Sequence, residues 1–352
     1  MLAFDKKTQY ISICILTGII GLFYFLTMRD GHNWGGDFSM YIQHAKNISE
    51  GKPYGDTGYI FNPSHPFLGP KTYPPVFPFL LVPVYLVSGL DLQAMKLIPI
   101  VLFLFSLFTI YLNFKDKLSF YSLCLIIGAL GFNYFFWDFK DNILSDLPFL
   151  FFSYTFFYLA EKTYNAQKSL KRVTILCLFT GFFLYLSYGT RTIGFVLLPS
   201  VLLYDFFQHK KFSIKGILIV SFFIIFLLFQ NLLLQNEGSY FDLFYFDHRI
   251  IFKNIKFYQW HATAFWSNGF FYPFNEWLFI IISVFSACGF LIRFKKFGIY
   301  EFFFLFYLMI IFTWPTNQGT RFLIPIIPLY LFSLLSKNGF RMSHKVSNNT
   351  SH

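Results

Sequence analysis

Charge is scarce in this chain. Asp, Glu, Lys and Arg make up 13% of its 352 residues, against roughly 25% in average soluble domains. Cysteine is scarce as well. Cys14, Cys124, Cys177 and Cys288 all fall inside apolar runs and form no C-x-x-C pair, which argues against a zinc site or a disulfide framework. The sequence contains no P-loop, no G-x-G-x-x-G after a strand and no H-E-x-x-H, so the usual nucleotide and zinc-protease chemistries have no foothold. No internal repeat, low-complexity tract or soluble domain is visible. Without a cytoplasmic domain to hold a nucleotide, any group transfer must draw on a donor at a membrane face, most simply one dissolved in the lipid.

What the chain has is apolar length. Hydrophobic residues make up 56%, in runs at roughly 10–28, 76–90, 93–114, 118–137, 147–160, 173–189, 192–208, 214–235, 276–292, 299–314 and 321–335. A helix of about 20 apolar residues matches the hydrocarbon core of a bilayer. The chain therefore reads as an all-α, polytopic integral membrane protein. The first run follows Lys6 and Lys7 and has no A-x-A-like cleavage site, so it reads as a retained span. The run 76–90 is short and carries Pro78 and Pro83, which suits a re-entrant or interfacial segment.

The cations decide how to count it. If 76–90 skims the membrane, seventeen Lys and Arg fall in the short segments on the side of the N-terminus and ten in much longer loops opposite. Short cytoplasmic loops collect Lys and Arg. If 76–90 crosses, the clusters Lys162 to Arg172 and Arg293 to Lys296 come to lie outside, against that rule. The expected topology is about ten spans with both termini cytoplasmic, amphipathic juxtamembrane helices in a first outer loop at 29–92, and a second long outer loop at 236–275. One transmembrane domain covers 1–345, with a disordered tail at 346–352. The net charge of +11 is spread over these loops, a pattern of membrane orientation rather than of nucleic-acid binding.

This topology gathers the unusual polar motifs on the outer side. In GGDFSMYIQHAKNISEGKPY, starting at Gly35, the residues Asp37, Tyr41, His44/Ala45 and Ile48 share one helical face, and Gly51 and Pro53 end the helix. Asp37 reads either as an N-cap or as a functional carboxylate. Asp146, at the start of a span in SDLPFLFF, carries the same two readings, with Pro148 at an early helical position. Arg191 in YGTRTIGF, Arg321 in QGTRFLIPIIP, Lys96 and Lys71 are basic residues near the same depth. They either snorkel to lipid phosphates or form a phosphate clamp. Tyr73-Pro74-Pro75 opens the skimming helix. Trp260 and His261 sit in an aromatic-rich stretch of the second long loop that suits a sugar site or an interfacial belt.

Together these motifs resemble the GT-C glycosyltransferases, in particular the protein O-mannosyltransferase superfamily with bacterial relatives such as the lipid A aminoarabinose transferases. The resemblance spans nearly the whole chain. It rests on Asp37, Tyr41, Ala45 and Gly51 to Tyr54 in the first loop, then Tyr73-Pro74-Pro75, Lys96, Ser145-Asp146, Thr190 to Gly194, and Arg321 to Pro328. The chain departs from the family in having Phe38 after Asp37 where many relatives have a second acid, Lys96 where arginine is common, and no soluble C-terminal domain.

The resemblance implies an inverting transfer from a polyprenyl-phosphate-linked sugar to an acceptor hydroxyl, on the outer face of a bacterial inner membrane. It implies Asp37 and Asp146 as catalytic carboxylates, with Asp37 the base, Arg191, Arg321, Lys96 and Lys71 on the donor phosphate, and Tyr41, His44, Tyr73, Trp260 and His261 at the substrate. It leaves a divalent metal open, and the acceptor as a glycan, lipid or protein. The competing readings are a lipid-linked sugar flippase, which wants polar residues near the midplane of broken spans, and an O-antigen ligase or polymerase, which would place its key residues in a late outer loop.

Overall fold

The structure, a computed structural model, describes residues 5–32, 36–59, 69–70, 72–166, 169–234, 240, 244–266, 272–317 and 319–336. The described residues form fourteen α-helices and no strand. In chain order they are α1 (Lys6–Leu26), α2 (Phe38–Ser49), α3 (Val76–Ser88), α4 (Leu92–Phe114), α5 (Phe120–Gly131), α6 (Tyr134–Phe139) and α7 (Asp146–Tyr164). Then follow α8 (Leu170–Thr190), α9 (Leu197–His209), α10 (Ile214–Leu233), α11 (His248–Ala264), α12 (Tyr272–Phe294), α13 (Ile299–Thr313) and α14 (Ile327–Leu335). Helix starts are set by small polar caps. Asp91 accepts from the backbone of Gln93 and Ala94 at the head of α4, and Ser213 accepts from Gly216 at the head of α10. Such caps satisfy backbone donors that the helix itself leaves open.

The helices run between two ends of the molecule. One end collects cations. Lys115 of the α4 exit donates to the Tyr10 hydroxyl near the start of α1, and Lys117 reaches Glu161 and Tyr300. Lys215 donates to the carbonyls of Tyr164 and Ala166, and Gln208 donates to the Lys296 carbonyl. The loops after α4, α7, α9 and α12 therefore meet at one end. Arg29, Asp146, Arg191 and Arg321 lie at the other.

Helix α3 has both its ends there. Phe77 meets Tyr41 edge to face with ring centroids 5.0 Å apart, and Gln93, just past α3, donates to the Arg29 carbonyl. Its 13 residues span about 20 Å at 1.5 Å per residue, short of the ~30 Å hydrocarbon core. Single cysteines placed at positions 116 and 166 of a cysteine-free variant are expected to resist an impermeant thiol reagent in intact cells and to react after permeabilisation. Labelling of both without permeabilisation would overturn this sidedness.

The expected spans are less regular than their apolar runs. Among the described residues, five helices are long and apolar enough to cross a membrane: α1, α4, α8, α10 and α12. The run 118–137 breaks, because Asn133 turns its side chain onto the Phe135 amide and starts α6 afresh. The run 192–208 opens with a 3-10 turn at Thr192–Val196, and the run 321–335 lies partly in a 3-10 turn at Gly319–Leu323 before α14. Pro325 and Pro328 account for the second, since proline lacks the amide an α-helix needs. Packing is close where side chains are small. A Cβ on Gly181 of α8 would lie 2.7 Å from the Ile219 carbonyl oxygen of α10, the small-residue approach common between membrane helices.

Candidate active site

Four charged residues from four distant segments meet at the cation-poor end. Asp37 precedes α2, where Gly36 takes a left-handed φ of +93° that only glycine adopts freely. Asp37 occupies the N-cap position but makes no side-chain cap bond. Its carboxylate is engaged elsewhere: Oδ1 accepts from the Tyr73 hydroxyl at 3.0 Å and Oδ2 from Arg321 Nη2 at 2.8 Å. The simple capping reading of Asp37 is thereby corrected.

Asp146 opens α7, and Ser145 before it makes no cap bond either. Asp146 Oδ1 accepts from Arg191 Nη1 and, at 3.4 Å, from Arg321 Nε. Oδ2 is buried and has no hydrogen-bond partner among the described residues. Ser145 Oγ pairs instead with the Tyr41 hydroxyl at 2.8 Å, tying α2 to the head of α7. Arg191 sits in extended backbone between α8 and the 192–196 turn, with its guanidinium 4.9 Å from the Phe322 ring centroid.

Arg321 thus bridges two carboxylates, and the two arginines balance the two acids. This is the arrangement burial demands, since an unpaired charge out of water is costly. The acids nevertheless differ in access. The Asp37 side chain is 22% exposed and that of Asp146 is 2% exposed.

A cavity of about 100 Å³ opens onto the arginines. One wall is apolar, from Phe195, Ile310, Ile311 and Trp314, and Arg191, Arg321 and Tyr41 line the cavity beside it. A second, more polar cavity of about 200 Å³ lies beside it and shares Pro74, Thr192 and Tyr240. Tyr240, Trp314 and Gln230, which lines the second cavity, were not among the residues expected from sequence. The signal for Gln230 was the amide pair Gln230-Asn231 near the end of an otherwise apolar run.

The other expected site residues divide. Tyr41 and Tyr73 reach the cluster. His44 does not face a cavity. It is fully buried, with Nδ1 against the Tyr54 carbonyl at 2.8 Å and Nε2 accepting the Tyr73 amide at 3.3 Å. It binds the first loop together rather than a substrate. Burial lowers its pKa to about 4, against the Tyr54 carbonyl, which favours the proton. A histidine lowered in the folded state from about 6.5 is fully stabilising above pH 6.5. Its contribution is lost as pH falls toward 4, because the unfolded state then binds the proton that the folded state excludes. The loss is roughly 3 kcal/mol. The thermal midpoint in detergent is expected to drop between pH 7 and 4.5, and to drop less in His44→Gln. Parallel pH profiles for the two proteins would contradict this role.

Lys96 also departs from expectation. It is fully buried and donates to the Arg29 carbonyl at 2.6 Å, 3.9 Å from Asp141. Asp141 is held in turn by Arg29 and Lys140 at 2.7 and 2.6 Å. Lys96 therefore locks the α1 exit to the segment before α7, and its ammonium is already engaged away from the arginine pair. Trp260 lies on the outer surface of α11, 57% exposed, and lines neither cavity. His261 holds Thr320 beside Arg321, Nδ1 to Oγ1 at 2.9 Å, so it supports the turn instead of lining a cavity. Lys71 lies outside the described residues. Among the described residues, no three His, Cys, Asp or Glu side chains gather as a metal set.

No family model matches the sequence, and no curated protein matches it. Two solved structures do match in fold. One is ArnT from Cupriavidus metallidurans bound to undecaprenyl phosphate, with a TM-score of 0.63 and 10% identity over 94% of this chain and 60% of that one. The other is the same protein in the apo state, with a TM-score of 0.60 and 11% identity over 94% and 59%. The chain spans about 60% of the length of that protein. At this identity the likeness carries the fold alone: the chain shares the all-helical, multi-pass membrane fold of ArnT.

Proposed function

We propose that this protein is a membrane glycosyltransferase that moves a sugar from a polyprenyl-phosphate donor to an acceptor hydroxyl, with inversion. The observation that carries the reading is the Asp37–Arg321–Asp146–Arg191 cluster at the mouth of a half-apolar cavity. Paired guanidinium groups suit a phosphate, and the wall of Phe195, Ile310, Ile311 and Trp314 suits the first part of a lipid tail. The ArnT structure bound to undecaprenyl phosphate supports the same class of donor.

Asp37 is the base in this reading, because its carboxylate keeps access to solvent while that of Asp146 does not. It takes the proton of the acceptor hydroxyl. The oxygen attacks the anomeric carbon, the bond from that carbon to the phosphate oxygen breaks, and polyprenyl phosphate leaves as an anion. Arg191 and Arg321 stabilise the departing charge. Asp146 is a positioning residue that aims both arginines. The donor phosphate competes with Asp37 for Arg321, so donor binding itself frees a lone pair on the base. The basic end then faces the cytoplasm and the site faces outward from a bacterial inner membrane, in line with the cation bias. A flippase would place its polar groups near the midplane, whereas these four lie at helix ends.

Arg191→Ala and Arg321→Ala are each expected to weaken undecaprenyl phosphate binding by about ten- to a hundredfold, the worth of a hydrogen bond to a charged group. Unchanged affinity in both folded variants would return these residues to a purely structural role.

A further inference from the structure

The polar cavity beside the arginine cavity has no task in the transfer derived above. It lies between the entry to α3, the end of α8 and the end of α10, and is lined by Thr72, Tyr73, Tyr188, Gln230, Asn231 and Tyr240 among others. Gln230 is the telling residue. It is 7% exposed, it lines this cavity, and its side-chain oxygen is buried with no hydrogen-bond partner among the described residues. A buried amide oxygen without a donor costs free energy, so a ligand that brings a donor to it gains accordingly. Asn231 adds a second amide at the exposed rim. Tyr73, Tyr188 and Tyr240 add aromatic rings and hydroxyls. Amides that both donate and accept, set among aromatic rings with apolar faces, match a compact ring with hydroxyls on its edge and C–H groups on its faces.

We infer that this cavity binds a single sugar ring. At about 200 Å³ it is smaller than the roughly 300–1,000 Å³ of drug-sized sites, so it suits one ring rather than a chain. Its placement gives the ring a purpose. Tyr73, in its wall, donates its hydroxyl to Asp37, while Pro74, Thr192 and Tyr240 separate it from the arginines. A ring seated here lies next to the base and the phosphate site, with Tyr73 between it and Asp37 and with Pro74, Thr192 and Tyr240 between it and the arginine cavity. The inference rests on the glycosyl-transfer reading for its purpose, but not for the binding itself. The ring belongs either to an acceptor glycan or to the donor's own sugar, and the two sources separate by experiment.

The full chain in detergent is titrated with undecaprenyl phosphate, with a panel of methyl hexopyranosides and pentopyranosides, and with undecaprenyl-phosphate-linked hexoses and pentoses. If the ring is the acceptor's, saturation-transfer NMR shows glycoside binding while undecaprenyl phosphate is bound, and Gln230→Leu reduces it at least fivefold. If the ring is the donor's, a lipid-linked sugar binds at least tenfold more tightly than undecaprenyl phosphate, and Gln230→Leu removes that preference. Asn231→Ala, on the exposed rim, carries the same comparison should Gln230→Leu fail to fold. No sugar-dependent binding in the parent, or sugar binding indifferent to both substitutions, overturns the inference. Undecaprenyl phosphate alone reads the donor assignment separately. Its failure to bind alongside Gln230-dependent sugar binding would remove the polyprenyl donor and leave the ring site. Its binding with no sugar preference would remove the ring site only.

Discussion

Asp37→Asn is expected to lower sugar transfer 10²-fold or more while leaving the protein folded and able to bind undecaprenyl phosphate. The size is that of losing a general base. The substitution is clean because Asp37 makes no cap bond to lose, and the amide oxygen of asparagine still accepts the Tyr73 hydroxyl. What disappears is the negative charge facing Arg321 and the ability to take a proton. Donor affinity separates the base from a mere partner of the arginine. With its competitor weakened, Arg321 is freer for phosphate, so undecaprenyl phosphate binding should hold or tighten while turnover falls. Transfer near the parental rate would refute the assignment of Asp37 as base.

Asp146→Ala is expected to act on stability instead. Asp146 is the most deeply buried member of the cluster and takes bonds from both arginines. Removing it leaves Arg191 with no acid in the cluster and Arg321 with only Asp37. Breaking a buried pair from one side costs about 3–5 kcal/mol, because the remaining charge keeps its desolvation penalty. A large fall in the thermal midpoint in detergent, with loss of donor binding, is the expected result. Asp146→Asn should fall less, since the amide oxygen can still accept one arginine bond. A midpoint unchanged in Asp146→Ala would mean that the arginines are held by other groups, and would remove its positioning role.

Both variants test contacts between residues far apart in sequence; Asp37 and Arg321 are 284 positions apart. Apolar run length and cation bias are properties of local sequence, and they were enough for an all-α polytopic architecture. They also argued against counting 76–90 as a span; the structure has α3 at 13 residues, with Phe77 against Tyr41, and the cysteine-labelling experiment tests the count. The regularity of the spans was less legible. Asn133 and Pro325 break helices inside runs that remain apolar throughout, and hydropathy does not register a cap or a missing amide.

Within the site, sequence could rank Asp37, Asp146, Arg191 and Arg321 as candidates by depth. It could not say which arginine meets which acid, or that Lys96, near the same depth, is spent on the Arg29 carbonyl. Depth follows from distance along a helix. Position around the bundle follows from how the helices pack, and a charge out of water takes the partner that packing brings within reach. Four charges at the ends of separate segments become one cluster only when those ends converge, and that convergence belongs to the tertiary structure.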